Sequence, residues 1–224
     1  MQVDEVVTGS FEIHVFVAPL DPEASQAEKF REACGAHMKA LLLNLDYVGK
    51  GFVGVLQSSR YVTGGVEEAR AAAAEDARIL RAAGFEVIRE KVEALASCAG
   101  VPRDFKEARR SPGDRYFEFH VLVDRPGRPI DDADVASLRG VAAEFSRRLG
   151  TPVPLSYNAL KPAQRFLNLR ARGVGLAEAM APVHALAGEI AAMDGLVVKK
   201  VIAEYICFDS NRAVDNGWLE PVDE

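Results

Sequence analysis

The feature that most constrains the fold is a seven-residue segment that occurs twice. Residues 11–17 read FEIHVFV, and residues 117–123 read FEFHVLV. In both copies an apolar residue recurs at every second position, which is typical of a half-buried β-strand with one face on a core. Each copy also carries a Glu-x-His unit, Glu12 with His14 and Glu118 with His120. The recurrence predicts that the chain contains two related halves.

The first half has a readable order of elements. A strand at residues 11–17 is followed by a helix that begins at an Asp-Pro pair, and the Gly49–Gly51 turn joins two apolar segments as a hairpin. A stretch rich in Ala, Arg and Glu then has acids in its first turn and ends at Gly84, which indicates a second helix. Residues 85–95 close the half as a strand. This βαββαβ order is that of a ferredoxin-like domain.

The second half repeats the order between residues 116 and 208. We therefore predict an α+β fold, built as a tandem duplication of two ferredoxin-like (βαββαβ) lobes with antiparallel sheets. The first lobe covers residues 8–97 and the second covers residues 114–208. Residues 98–113 are charged and contain Pro and Gly, so they are predicted to form a linker. Residues 209–224 are predicted to be a C-terminal extension.

Two more residue types match when the halves are aligned on glycines. Glu93 and Glu204 each lie nine residues after a helix-ending glycine, and Arg60 and Arg170 each lie five residues before the glycine that opens the next helix. Several matches inside one order of elements favour duplication over chance.

The phases of the strands predict a shared polar face. The aliphatic positions of each first strand must face the helices, so Glu12 and His14 point to the other side, where equivalence also places Arg60 together with Leu56 and Ser58. A ferredoxin-like sheet is covered by helices on one face only, and we expect the open faces of the two lobes to meet or to line a cleft. The residues expected there are Glu12, His14, Arg60, Glu93, Glu118, His120, Arg170 and Glu204, with Lys91 and Lys200 on the same sides of the last strands.

The first functional hypothesis is binding of a small anionic ligand between the lobes, with acid/base turnover by histidine. Arg60, Arg170, Lys91 and Lys200 would neutralise a phosphate or carboxylate. His14 and His120 are the candidate catalytic residues, because imidazole titrates near neutral pH. The carboxylates Glu12, Glu93, Glu118 and Glu204 would complete the site.

This layout is similar to that of the 2H phosphoesterases, which have two lobes with one histidine each. Those enzymes carry His-x-Thr/Ser on paired strands. Here the corresponding residues are His14-Val15-Phe16 and His120-Val121-Leu122, without a hydroxyl. The likeness therefore covers topology and pseudosymmetry only.

Two other interpretations stay open. In the first, the chain is a non-catalytic structural or assembly module, and the Glu, His and Arg residues form an interface ion-pair network. In the second, His14, Glu93, His120 and Glu204 bind a metal ion. The second arrangement resembles that of vicinal-oxygen-chelate enzymes, but their βαβββ module has no place for the helix at residues 65–83.

Composition limits the partners. The net charge of −6 makes general nucleic-acid binding an unfavoured function. The three cysteines are far apart, the N-terminal residues lack the pattern of a signal peptide, and no apolar run approaches the length of a membrane span. We expect a cytoplasmic protein that does not enter membranes and is able to self-associate through its open sheet faces. The sequence does not indicate a cofactor.

Overall fold

The alternating segments form strands throughout the computed structural model, which describes residues 6–220. Within these residues the strands are β1 (Thr8–Ala18), β2 (Lys39–Tyr47), β3 (Gly51–Gly65), β4 (Glu86–Leu95), β5 (Tyr116–Asp124), β6 (Leu155–Asn158), β7 (Arg165–Arg172) and β8 (Val197–Asp209). The helices are α1 (Ala24–Cys34), α2 (Val66–Ala82), α3 (Phe105–Ala108), α4 (Asp132–Leu149) and α5 (Leu176–Ala191). The fold is α+β with an antiparallel sheet, as the sequence predicted at this coarse level.

Local sequence signals explain where the long helices begin and end. At the start of α4 the Asp131 carboxylate accepts a hydrogen bond from the Asp134 backbone N–H at 3.0 Å. At its end Gly150 takes a left-handed conformation, with φ of 67°, that is favourable only for glycine and a few polar residues. At the start of α2, Glu68 accepts a hydrogen bond from the Gly65 N–H.

The eight strands close into one barrel in the order β1-β3-β2-β6-β7-β5-β8-β4, and every neighbouring pair is antiparallel. The strand order is β4-β1-β3-β2 in the first half and β8-β5-β7-β6 in the second. Two seams join the halves edge to edge, β2 with β6 and β4 with β8. The sheet faces that the sequence analysis described as open therefore enclose the interior of a barrel.

Outward side chains of the barrel pack under the helices. Val15 and Val17 contact Phe30 of α1 and Leu80 of α2, and all four are buried. A larger cluster extends from Phe11 through α2 to the helices of the second half, so the hydrophobic core outside the barrel is shared by both halves. The inward side chains are of two kinds, an apolar group at one end of the barrel and a charged group beside it.

The apolar group is completed by the chain beyond β8. After a short 3₁₀-helix, Arg212–Asp215, the buried side chains of Trp218 and Leu219 pack against Phe16, Leu45, Tyr47 and Val55. The backbone holds this segment as well, since the Val48 N–H donates to the Gly217 carbonyl at 2.8 Å. Residues 209–220 of the predicted extension thus form part of the barrel's filling, and residues 221–224 lie outside the described residues.

The predicted linker contains structure of its own. Within residues 98–113, α3 begins where the Asp104 side chain accepts a hydrogen bond from the Glu107 N–H, and Ala99 bridges to Thr8. Among the described residues, no helix combines the length and the apolar character that a membrane span requires.

Candidate functional site

Strand register brings the repeated Glu and His residues together inside the barrel. Directly paired residues on adjacent strands point to the same face. Glu12 pairs with Glu93, and Glu118 pairs with Glu204. Two positions further along the strands, His14 pairs with Lys91, while His120 pairs with Ile202. Each half therefore places one Glu-His-Glu set on the inner face.

His14 is held by four polar contacts, one of which is to Gln57 Nε2, 3.2 Å from its Nδ1. Its Nε2 lies 3.2 Å from a Glu93 carboxylate oxygen and 3.8 Å from Glu12, and its Nδ1 lies 3.0 Å from the Ser58 carbonyl oxygen. Burial on its own would lower the pKa of His14, but the charge of Glu93 and the hydrogen bond to it outweigh burial and raise the pKa to about 9. At neutral pH the ring is an imidazolium that donates from both nitrogens.

His120 has a parallel environment. Its Nε2 lies 3.3 Å from Glu204, and its Nδ1 lies 2.7 Å from Asn168 Oδ1. Burial again acts to lower the pKa of His120. The hydrogen bond to Glu204 and the charge of that carboxylate outweigh burial and raise the pKa to about 9. The pKa of Glu204 is raised as well, because burial and the nearby Glu93 charge outweigh its bond to His120. With both ring nitrogens donating, neither histidine has a nitrogen that accepts a proton at neutral pH.

The predicted ligands Lys91, Glu118 and Arg170 form one buried ionic group. Lys91 Nζ lies 2.5 Å from Glu118 and 2.6 Å from Glu93, and Arg170 pairs with Glu118 from the other side. Burial acts to raise the pKa of Glu118, but the charges of Lys91 and Arg170 lower it to about 2. The group links β4 of the first half to β5 and β7 of the second.

The C-terminal segment adds carboxylates that the sequence analysis did not assign to the site. Asp215 lies 2.8 Å from Arg89 and 2.6 Å from Arg170, and Asp209 also pairs with Arg89 at 2.6 Å. Arg89 is only 2% exposed although its side chain is charged. Arg89 alternates with Lys91 and Glu93 along β4 and therefore shares their inner face. A buried arginine requires carboxylate partners. That requirement is the sequence signal that would have pointed to Asp209 and Asp215.

Arg60 does not join this site, and its predicted placement is wrong. It pairs with Ile13, on the outward face of β1, and its guanidinium contacts Asp76 of α2 at 2.9 Å. Leu56 and Ser58 were expected on the same inner face as Arg60. Leu56 instead packs under α1 and α2, and Ser58 pairs with the outward-facing Val15. The inner face of β3 carries Gln57, Ser59 and Tyr61.

Arg60 was misplaced because the distance from the strand to the following helix differs by one residue between the two halves. Ser59 pairs with His14 and lies seven residues before α2 begins, whereas Asn168 pairs with His120 and lies eight residues before α5 begins. β3 runs directly into α2, but β7 ends at Arg172 and is followed by residues 173–175. Because side chains alternate along a strand, a one-residue shift moves each of them to the other face. Counting back from the helix glycines therefore gave the correct face for Arg170 and the wrong one for Arg60.

The register thus makes Tyr61, not Arg60, the counterpart of Arg170. Tyr61 pairs with Glu12 and donates its hydroxyl to that carboxylate at 2.6 Å, and the Ser59 hydroxyl donates to Glu12 at 2.5 Å. Lys200 pairs with Leu122 near the end of β5 and is exposed. Its position in β8 corresponds to that of Arg89 in β4, because Arg89 pairs with Phe16 as Lys200 pairs with Leu122.

We call the ion-paired residues of the barrel interior and of the C-terminal segment (residues 209–220) the inner cluster. Its members are Glu12, His14, Arg89, Lys91, Glu93, Glu118, His120, Arg170, Arg172, Glu204, Asp209, Asp215 and Glu220. With both histidines protonated, these residues carry seven negative and six positive charges. Each positive side chain contacts at least one carboxylate.

Exposure within the inner cluster is uneven. The His14 side chain is 8% exposed and the His120 side chain 22%, while that of Glu12 is 16% exposed. Tyr61, beside Glu12, is 60% exposed as a residue. The inner cluster is therefore reached from the end of the barrel that carries Glu12, Tyr61 and His120, and the end that carries Asp215 is closed by the C-terminal segment.

A metal site at His14, Glu93, His120 and Glu204 is not supported by the side-chain arrangement. Across residues 6–220, no group of three or more His, Cys, Asp or Glu side chains is arranged to hold a metal ion. The Glu93 carboxylate is already engaged by Lys91 and His14, so the carboxylate lone pairs that a metal needs are directed to protein cations.

No protein-family model matches the chain, and no curated protein matches it. One similar solved structure is the crystal structure of a "Putative monooxygenase" from Fusobacterium nucleatum subsp. nucleatum ATCC 25586. It has 10% sequence identity and a TM-score of 0.36, over 97% of this chain and 99% of that chain. A likeness this distant carries no argument about the chemistry of the chain.

Proposed function

We propose that the chain is a tandem duplication of two ferredoxin-like lobes, and that the inner cluster acts as an ion-pair scaffold that fixes the lobes and the C-terminal segment in one barrel. Support for duplication comes from the βαββαβ element order of each half, the matching strand orders, and the Glu-His-Glu sets at matching register. On this proposal the chain is a non-catalytic structural module.

One observation carries the scaffold function: each cation of the inner cluster is bound by a carboxylate from a different element. Lys91 of β4 bonds Glu118 of β5 across the two lobes. Asp215 bonds Arg89 of the first lobe and Arg170 of the second. An anionic ligand that enters the barrel meets cations whose charge is already balanced, and displacing their partners would leave buried carboxylates unpaired.

The scaffold is tested by neutralising the residue that joins both lobes. Asp215→Asn keeps the side-chain shape and removes the charge shared by two buried arginines, so we expect it to lower the free energy of unfolding by about 3 kcal/mol or more. The matched control is Glu67→Gln, whose partner Arg70 lies on the surface, with an expected change within about 0.5 kcal/mol. Urea unfolding followed by circular dichroism measures both variants, and equal losses would contradict the scaffold.

The second candidate function is binding of a small phosphate- or carboxylate-bearing ligand at the accessible end of the barrel. The partial exposure of the protonated His120 side chain favours it. The positive charges of His14 and His120 would attract the anion, and a ring N–H would exchange its present acceptor, such as Asn168 Oδ1, for the ligand. Because their pKa values are raised, both rings are protonated at neutral pH and would serve as acids rather than as bases. The other predicted ligands, Lys91, Glu93, Glu118, Arg170 and Glu204, would lie behind this site, buried and paired within the inner cluster.

The two candidates are separated by histidine NMR in the presence of inorganic phosphate. Phosphate binding predicts saturable shifts of the His14 and His120 ring resonances. His37 and His184 lie outside the barrel and are internal controls in the same spectrum. The scaffold predicts no saturable shift of the His14 and His120 resonances, because their ring nitrogens stay bonded to Glu93, Ser58, Glu204 and Asn168.

A further inference from the structure

A cavity of about 50 Å³ lies between the predicted linker and the second half of the chain. Residues 102–117, the connection from β7 to α5, and one residue of β8 enclose it, and the exposed Gly113 borders it on the solvent side. Its walls are largely apolar and include Pro102, Pro112, Phe117, Ala171 and Val174. Since one water molecule needs roughly 10–15 Å³ of such space, the cavity has room for about four non-hydrogen atoms.

The cationic side chain at this cavity, Arg115, has no anionic partner. It is partly buried, and within residues 6–220 its guanidinium makes neither an ion pair nor a hydrogen bond. Its Nε is inaccessible, whereas Nη1 and Nη2 keep accessible surface and are free to bond a ligand. A guanidinium that loses water without gaining an acceptor costs free energy, which a bound anion would recover.

The Arg115 charge acts on the side of the cavity that β8 forms. Burial raises the pKa of Tyr205, while its hydrogen bond with Ser111 and the charge of Arg115 act to lower it. Arg115 acts in the same direction on the pKa of the Cys207 thiol, two residues further along β8. The cation therefore lies close to the Tyr205 hydroxyl, which also lines the cavity.

We propose that this cavity binds a small monocarboxylate, with the Arg115 guanidinium as its counter-ion and the Tyr205 hydroxyl as a second donor. Nη1 and Nη2 present two parallel N–H groups, which match the two oxygens of a carboxylate. One cation balances one negative charge, and the apolar walls accommodate a methyl group. The site is separate from the scaffold proposed above, because no member of the inner cluster lines the cavity.

Acetate is the probe for this site, and acetamide, which has the same shape and no charge, is its control. In ¹H–¹⁵N spectra of the full chain, acetate should shift the backbone amides of Gly113, Gly173 and Val174 in a saturable way, because these residues line the cavity. Acetamide should bind about tenfold more weakly or worse, since it cannot form the charge-assisted pair with Arg115. Sodium chloride at the same ionic strength should cause no saturable shift.

Two arginines of the predicted linker locate the binding. Arg115 lines the cavity, whereas Arg110 is exposed and does not line it. Arg115→Gln should weaken acetate binding by about tenfold or more, and Arg110→Gln should leave the affinity unchanged. Tyr205→Phe removes only the second donor and should weaken binding by about fivefold. Circular dichroism melts verify that each variant is folded, and without acetate Arg115→Gln should melt no lower than the wild type, because it breaks no existing ion pair.

The proposal is overturned if acetate produces no saturable shift at the three amides, or if acetamide or chloride produces the same shift at the same concentration. Equal acetate affinities of Arg115→Gln and Arg110→Gln overturn it as well. If Arg115→Gln does not fold, Tyr205→Phe decides, and a wild-type affinity for acetate in that variant rejects the site. Saturable shifts of His120 without shifts of Gly113 would place the carboxylate at the end of the barrel instead.

Discussion

Glu12 and Glu118 occupy the same position in the two halves and have opposite environments. Glu12 accepts hydrogen bonds from two neutral hydroxyls, those of Ser59 and Tyr61, and lies near the accessible end of the barrel. Glu118 is 2% exposed and pairs with Lys91 and Arg170. One position in a repeated motif thus serves as a partly exposed acceptor in one half and as a buried ionic centre in the other.

The difference comes from the residues around the repeat. The Glu-His-Glu sets are the same in both halves, while the residues that pair with them differ, Tyr61 against Arg170 and Lys91 against Ile202. The permanent cations of the interior are therefore concentrated at the end that the C-terminal segment closes. At the accessible end, Glu12 is instead bonded by the neutral hydroxyls of Ser59 and Tyr61. Repeated residues alone do not reveal this asymmetry.

The largest expected effect comes from replacing the donors that distinguish the two glutamates. Arg170→Met leaves Glu118 and Asp215 buried with one cation fewer and should lower the free energy of unfolding by about 3–5 kcal/mol. Tyr61→Phe removes one hydrogen bond at an exposed residue, so the loss should be about 1 kcal/mol or less. Urea unfolding measures the free energy of both variants. Equal losses for Tyr61→Phe and Arg170→Met would contradict the difference between Glu12 and Glu118.

The second effect is a loss of stability at alkaline pH. Both histidines have a folded-state pKa of about 9, raised above the ordinary value of 6.5. Their contribution is therefore fully present below pH 6.5 and is lost as the pH rises through 9. Each shift corresponds to a free energy on the order of 3 kcal/mol. The free energy of unfolding measured by urea at pH 6.5, 8 and 9.5 should fall steadily.

A double variant checks that this slope belongs to the barrel histidines. His14→Gln combined with His120→Gln should be less stable at pH 6.5 and should show a nearly flat profile up to pH 9.5. His37→Gln is the surface control and should keep the wild-type slope. A steep slope in the double variant would assign the pH dependence to other groups.

The third and smallest effect concerns Glu12 itself. Glu12→Gln keeps one acceptor oxygen for either Ser59 or Tyr61, puts an amide N–H donor at the other position, and removes one charge near His14. We expect a loss of about 1 kcal/mol and a small decrease in the pKa of His14, since the Glu12 charge contributes to raising it. Histidine NMR titration reads out the pKa of His14, and an increase would contradict the assigned contact.

The secondary structure and much of the inner face followed from the sequence because they depend on local patterns. Alternation placed His14, Lys91 and Glu93 on one face, and the structure brings them within contact distance. The predicted face of Arg60 was wrong for a physical reason. A face inferred by counting back from a helix depends on the length of the connection, and a difference of one residue reverses the face. The exposure of Lys200 depends on where a strand leaves the barrel, which the pattern does not encode.

The roles of Asp209, Asp215 and Trp218 were not predictable from local pattern. They follow β8 in a stretch without periodicity, and their partners Arg89 and Arg170 are distant in sequence. Closure of the barrel was also not predicted, because it requires pairing of the outer strands of each half. The expectation of two facing sheets came from treating each half as complete.

The two seams of the barrel have a consequence for each half taken alone. A fragment of residues 8–97 would lack the partners of β2 and β4 at the seams, where residues 43–45 pair with β6 and residues 91–95 pair with β8 in the full chain. Unpaired edges of this kind seek other strands. Joining the halves covalently supplies the matching edges at high local concentration, so each half is protected from aggregation by its sister.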